Sequence, residues 1–148
     1  MREVRFLRGV FRGASELPLC LATVRLNGRF EPLAESLIDT GAAITMARSA
    51  LVREWLIGDE KDLESGVPQI VQGVGGRQMR VFGHLFDLYL RRDRHSEETL
   101  VLRRTWVFAG DQAFLPFPIL LGQNSALKGR ILRHQNCRHN PYWELREA

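Results

Sequence analysis

The chain has 148 residues, a formal net charge of +4, 45% hydrophobic residues and 26% charged residues, which is typical of one soluble globular domain. Its longest weakly polar runs are far shorter than the ~20 residues that span a membrane, and arginines near the N-terminus interrupt any apolar segment of a signal peptide. We therefore expect a cytoplasmic protein without membrane contact.

The first third of the chain predicts a β-hairpin. Residues 17–26 are apolar and β-branched enough for a strand, and Asn27-Gly28 favours the positive φ angles of a type I′ turn. The return strand, residues 29–38, contains Pro32, which suits only an edge position or a bulge. The hairpin therefore delivers the end of its second strand to the acidic stretch described below.

A short helix is predicted next, followed mainly by strands. Ser49 is placed to cap the helix and Gly58 to end it. Its apolar face consists of Leu51, Val52, Trp55 and Leu56. Further strands are predicted at residues 69–72, 78–90, 99–108, 117–121, 130–133 and 142–146, with one helical turn at 125–128. We expect Trp55 and Trp106 to pack in the core, and the many short, glycine-punctuated strands indicate an all-β fold.

Residues 37–45, Leu-Ile-Asp-Thr-Gly-Ala-Ala-Ile-Thr, place an acid at the end of a buried strand. Ionising a partly buried carboxyl group is costly unless its surroundings compensate. Asp39 is therefore either a turn-former that accepts hydrogen bonds from nearby amides or an acid placed for chemistry. Gly41 allows close approach of the backbone, and Thr40 offers a hydroxyl group.

One carboxylate alone is a poor hydrolase. Two carboxylates that share one proton supply a base for water and an acid for the substrate carbonyl. This chain has a single Asp-Thr-Gly, so the second carboxylate would come from a second copy related by a two-fold axis.

Three segments in this order resemble the retropepsin-like (retroviral-type) aspartic proteases. They are the stretch around Asp39, the glycine-rich Gln-Gly-Val-Gly-Gly about 30 residues later, and Pro-Ile-Leu-Leu-Gly-Gln-Asn near the C-terminus. The resemblance covers about residues 17–132, with extensions on both sides, and implies a single domain over residues 1–148. The implied fold is a closed, all-β acid-protease barrel with one or two short helices and one lobe per chain, as in a cellular or bacterial member of the family.

The resemblance also implies a homodimeric aspartic endopeptidase that cleaves a peptide or protein and needs no metal or organic cofactor. Asp39 corresponds to the catalytic acid, Thr40 to the threonine that bonds across the dimer axis, and Gly41 to a residue whose backbone meets substrate. The other residues implied to bind substrate are Ala42, Ala43, Ile44, Gly73, Val74, Gly75, Gly76 and Leu120. The tip at 73–76 would be a flap that closes over bound peptide.

Two positions depart from the viral members of the family. Ala43 stands where they carry an acid, and Gln123 stands where they carry arginine. In the viral enzymes these positions belong to an ion-pair network near the dimer interface. Loss of both partners is easier to reconcile with a folded dimer than loss of one, because loss of one would leave a buried charge without its partner. How this chain builds a dimer interface is left open by the sequence.

Other functions stay open beside the peptidase. A non-catalytic dimerisation or peptide-binding module on the same fold would not need the acid. Nucleic-acid binding is disfavoured, because the arginines near the C-terminus lack an aromatic platform. His134, Cys137 and His139 lack a fourth ligand and the paired spacing of a metal site. Cys20 is expected to be a free thiol packed in a strand.

Overall fold

The chain folds mainly into strands joined by turns. The computed structural model describes residues 1–72, 76–110, 115–135 and 140–147. These residues contain one α-helix, α1 (Ser49–Ile57). The strands are β1 (Arg2–Glu3), β2 (Phe6–Val10), β3 (Leu19–Thr23), β4 (Arg25–Leu26), β5 (Arg29–Phe30), β6 (Ala34–Ile38), β7 (Met46–Arg48), β8 (Val67–Gln72), β9 (Gln78–Arg91), β10 (Glu98–Gly110), β11 (Ile119–Leu121), β12 (Arg130–Gln135) and β13 (Tyr142–Glu147).

Six strands close into a barrel, which confirms the predicted all-β closed-barrel fold. Their order is β10, β7, β11, β6, β3 and β9, and antiparallel pairing of β9 with β10 completes the circle. Strands β1 and β8 extend this sheet beyond β10 and β9. Alternate residues of a strand share a face, so Leu88, Leu90, Leu100 and Leu102 all point into the core and are 0% exposed. Full burial of each such side chain contributes about 1.5–3 kcal/mol.

The predicted turn of the hairpin is confirmed, and so is the interruption of its second strand at Pro32. Asn27 and Gly28 have φ angles of 51° and 78°, and they join the antiparallel strands β4 and β5. The ladder stops before Pro32 and resumes with β6. Between them, the Glu31 carbonyl accepts a hydrogen bond from the hydroxyl group of Thr23 at 2.6 Å.

Helix α1 buries its predicted apolar face in the barrel core. Trp55 is 1% exposed and meets the ring of Phe86 edge-on, with ring centroids 5.1 Å apart. The predicted cap is wrong, because Ser49 is itself the first helical residue and its hydroxyl donates to the Gly110 carbonyl at 3.0 Å. The helix ends before Gly58, as predicted. No helix in the described part of the chain is both long and apolar enough to cross a membrane.

Cys20 and Trp106 were both expected in the core, with different outcomes. Cys20 lies in β3 at 2% exposure, and burial raises the pKa of its thiol to about 12. Trp106 is 39% exposed, so its predicted burial is wrong. The reason is a register shift between Leu102 and Thr105, which reverses the alternation of β10 and turns Trp106 outward.

A second, three-stranded sheet joins the two ends of the chain in the order β12, β13 and β2, with both pairings antiparallel. Strands β12 and β13 were predicted, whereas β2 was not, because Arg8 and Gly9 interrupt its apolar pattern. Packing explains the glycine at position 9, because a β-carbon there would lie 2.3 Å from the Trp143 ring. Trp143 and Leu145 are fully buried beneath this sheet.

Candidate active site

Asp39 follows β6 directly and lies at the point where β6 and β11 run side by side. The two strands are parallel, with Leu37 paired to Leu120 and Ile38 to Leu121. The backbone N–H of Asp39 continues this pairing and donates to the Leu121 carbonyl at 3.0 Å. The carboxylate is therefore positioned by the barrel itself, and it is half-buried.

The loop that carries Asp39 is closed on itself by hydrogen bonds. The N–H of Gly41 donates to Oδ1 of Asp39 at 3.0 Å, and the N–H of Ala42 donates to the Asp39 carbonyl at 3.2 Å. Thr40, Gly41 and Ala43 are exposed, and Ala42 is half-buried. This arrangement holds one carboxylate oxygen toward the backbone and places the loop residues predicted to meet substrate at the surface.

A turn after β11 braces this loop from the side. The N–H groups of Gln123 and Asn124 donate to the carbonyls of Ala42 and Ala43, both at 2.9 Å. The side-chain amide of Gln123 donates to the Thr40 carbonyl. A neutral amide side chain thus joins the turn to the loop.

Gly122 and Thr45 hold the turn and the loop together, and the sequence interpretation assigned neither of them a role. A β-carbon at Gly122 would lie 2.1 Å from the Ile44 carbonyl oxygen, so only glycine fits there without displacing the backbone. The buried Thr45 hydroxyl accepts hydrogen bonds from the N–H groups of Gly122 at 3.0 Å and Ala126 at 3.2 Å. Its own N–H donates to Oγ of Ser125 at 2.9 Å. The available signal was that Thr45 is the single polar side chain between Gly41 and Arg48.

An apolar cluster extends from the loop toward the β8–β9 hairpin. Ile44 and Leu120, both predicted to contact substrate, pack there half-buried together with Val71 and Met79, which were not predicted. Buried beneath them are Met46, Val81, Phe108 and Leu115. Val71 of β8 is paired with Met79 of β9. The cluster begins next to the loop, because Leu120 is paired with Leu37, two residues before Asp39.

The predicted glycine tip falls mostly outside the described residues, which exclude Gly73, Val74 and Gly75. Gly76 is exposed and has a φ of 76°. The strands on either side pair antiparallel as far as Gln72 and Gln78, so the tip joins two strands of one hairpin.

Charge is nearly absent from the two segments that build the site. Residues 36–47 contain one ionisable side chain, that of Asp39, and residues 115–127 contain none. Charged residues make up 26% of the whole chain. Asp39 is therefore the single ionisable side chain of these two segments, and the cations Lys128 and Arg130 line the cavity beside Thr40 and Gln123.

Among the described residues, no three His, Cys, Asp or Glu side chains are grouped to hold a metal ion. His134 packs against the ring of Phe11 with centroids 5.2 Å apart. Cys137 and His139 lie outside the described residues.

No protein-family model and no curated protein sequence matches this chain. In fold, it is similar to a retropepsin-like aspartic protease from Rickettsia conorii, known from a crystal structure. The TM-score is 0.54 at 13% sequence identity, covering 94% of this chain and 92% of the other. Identity this low shows the fold alone, and it confirms the predicted barrel of retropepsin-like type.

Proposed function

We propose that this protein is an aspartic endopeptidase that acts as a homodimer, with Asp39 of each copy in one shared active site. The observation that carries the proposal is a half-buried carboxylate held by the Gly41 N–H on a braced loop, in two segments that contain no other ionisable side chain. The fold similarity to a retropepsin-like protease supports the same assignment.

The surface around Asp39 suits a second copy of the chain. Interface cores are depleted of charged residues, as residues 36–47 and 115–127 are. A cavity of about 350 Å³ opens beside Thr40 and Gln123, and its lining includes Leu127, Leu132 and Leu145 together with the cationic Lys128 and Arg130. Because Ala43 and Gln123 are both neutral, these two positions would not place an unpaired charge between two copies.

The proposed chemistry needs only the two carboxylates and a water. Together they hold one proton, because two like charges a few ångströms apart are costly. The ionised carboxylate takes a proton from water as the water oxygen bonds to the scissile carbonyl carbon, and the protonated carboxyl gives its proton to the carbonyl oxygen. As the C–N bond breaks, the first carboxyl protonates the amine and a hydroxyl of the intermediate returns a proton to the second. The pair then again holds one proton.

The substrate would be an extended peptide with apolar side chains near the cut. Ile44, Leu120, Val71 and Met79 form the apolar surface beside Asp39 that would receive them. The tip at 73–76 would close over the peptide and exclude bulk water, since β8 and β9 lead to it. Backbone pairing of the kind used in strand addition would then hold the peptide.

The test is cleavage of a mixed peptide library by the purified chain from mildly acidic to neutral pH, with the oligomeric state measured in the same buffers. Asp39→Asn is compared with Asp59→Asn, an exposed aspartate in the turn after α1. We expect Asp39→Asn to lower the rate by at least about 10³-fold, by analogy with loss of an essential acid–base group, and Asp59→Asn to leave it unchanged.

Because the pair must keep one proton, we expect activity to be highest on the acid side of neutrality and to be blocked by a pepstatin-type inhibitor. Activity that survives Asp39→Asn, or that requires a metal ion, would contradict the proposal. A stable dimer without cleavage would favour a peptide-binding module instead.

A further inference from the structure

The outer face of the three-stranded sheet gathers arginines from both ends of the chain. Cross-strand pairing sets three rows: Ile131–Arg146–Phe6, Arg133–Glu144–Arg8 and Gln135–Tyr142–Val10. Paired residues lie on the same face, and so do alternate residues of one strand. These nine residues, called here the arginine face, therefore lie together, opposite the buried Trp143 and Leu145.

The arginine face is positively charged because three arginines meet a single carboxylate. Glu144 is only 5% exposed and is already engaged by Arg8 at 2.9 Å and Arg146 at 3.6 Å. Neutralising the remaining positive charge requires acids from outside this face.

A cavity of about 840 Å³ continues from Arg8, Val10 and Tyr142 and adds Arg12 and Arg92. Its one acid, Asp93, has Oδ2 3.7 Å from Nε of Arg92, so one acid stands against Arg8, Arg12 and Arg92. Oδ1 of Asp93 accepts the N–H groups of His95 at 2.9 Å and Ser96 at 2.8 Å. The excess of positive charge therefore extends from the flat sheet into a concave site.

Apolar side chains surround this charge. Phe6, Val10 and Ile131 are 47%, 63% and 51% exposed. Exposed apolar groups rimmed by polar residues mark interaction surfaces. A suitable occupant therefore carries both carboxylates and apolar side chains.

Two other occupants fit less well. A second copy packed face to face would set arginine against arginine, because a two-fold interface presents the same patch from both sides. Single-stranded nucleic acid is held on successive open aromatic rings. Here the Tyr142 ring is already covered by the Arg8 guanidinium, 4.2 Å from its centroid, which leaves Phe6 as the open ring of this face.

We propose that the arginine face and its cavity bind an acidic segment of a protein partner. Its carboxylates would pair with Arg12, Arg92 and Arg133, since guanidinium groups bind carboxylates through two parallel hydrogen bonds. Its apolar side chains would cover Phe6, Val10 and Ile131. This binding is separate from Asp39 and does not depend on peptidase activity.

The experiment uses the full chain carrying Asp39→Asn, so that a peptide probe stays intact, and follows the fluorescence anisotropy of a short labelled peptide of alternating Glu and Leu. One triple variant changes Arg12, Arg92 and Arg133 to Gln. The matched control changes the exposed Arg29, Arg53 and Arg104 to Gln, which alters net charge equally elsewhere. Thermal denaturation checks that both triple variants remain folded. Arg8 and Arg146 are left unchanged because they cover the buried Glu144.

We expect the first triple variant to bind about tenfold more weakly, and the control to change binding by less than about twofold. Added salt should weaken binding to the unsubstituted face. Equal losses in both triple variants would overturn the proposal, as would equal binding of the Gln–Leu version of the peptide or no binding at all. Tighter binding of single-stranded oligothymidylate through the same arginines would assign the face to nucleic acid instead.

Discussion

The loop around Asp39 and the three-stranded sheet are built by opposite means. The loop is held by neutral hydrogen bonds, which the Thr45 hydroxyl accepts and the Gln123 side chain donates. In the segments that form it, Asp39 is the single ionisable group. The sheet has Glu144 beneath Arg8 and Arg146, and its surface keeps an excess of positive charge. Neutral bonds fix a geometry at any ionic strength, whereas surplus charge attracts a partner over a distance and is weakened by salt. The two regions therefore differ in what can damage them.

The largest expected effect is that of Thr45→Val in the loop region. It leaves the buried N–H groups of Gly122 and Ala126 without their acceptor, and each orphaned donor costs about 1–3 kcal/mol. We expect urea unfolding to show a loss of about 2–4 kcal/mol. Thr45→Ser keeps the hydroxyl group and should lose only about 1 kcal/mol, for one methyl group. Equal stability of the two variants would show that the hydroxyl does not hold the turn.

Gly122→Ala should have the next largest effect, because its β-carbon would meet the Ile44 carbonyl at 2.1 Å. We expect a cost of about 1–3 kcal/mol from the forced backbone shift, measured by thermal denaturation. Gly58→Ala is the matched control, since its β-carbon would meet nothing nearer than Nδ2 of Asn27 at 3.6 Å. A tolerated alanine at Gly122 would mean that the loop and the turn can separate at little cost.

Arg8→Gln should have the smallest effect and is the test that separates the two regions. It removes the nearer partner of Glu144, but Arg8 is itself exposed and Arg146 stays 3.6 Å from Glu144, so the denaturation temperature should fall only slightly at low ionic strength. The difference from the unsubstituted protein should shrink as salt is added, whereas that of Thr45→Val should not. Arg53→Gln, in an exposed pair with Glu64 at 3.6 Å, should change little at any salt concentration. If the effect of Arg8→Gln did not depend on salt, the proposed difference between the charged sheet and the neutral loop would be contradicted.

Local patterns in the sequence predicted the parts of the fold that depend on neighbouring residues. Asn27-Gly28 predicted its turn because the φ preferences of two adjacent residues decide it. Trp106 was misplaced because the register shift before Thr105 reverses the alternation, and no residue type announces such a shift. Ser49 was misread as a cap because its acceptor, the Gly110 carbonyl, belongs to a distant strand.

The same limit applies to the candidate site. The segment around Asp39 drew attention because its residue types are unusual at a strand end. Thr45 drew none, because its partners Gly122 and Ala126 are about 80 residues away. Val71 and Met79 join Ile44 and Leu120 only through the folded hairpin. The arginine face was hidden for the same reason, since Arg8 and Glu144 are separated by 136 residues.

The parallel pairing of β6 with β11 has a consequence for synthesis of the chain. Thr40 and Gln123, which meet in the braced loop, are 83 residues apart. The loop carrying Asp39 therefore leaves the ribosome before its partners Leu121, Gln123 and Asn124 have been made. Closing so long a segment delays contact formation, so the braced loop should form late. An incomplete nascent chain consequently lacks the braced form of the loop that carries Asp39.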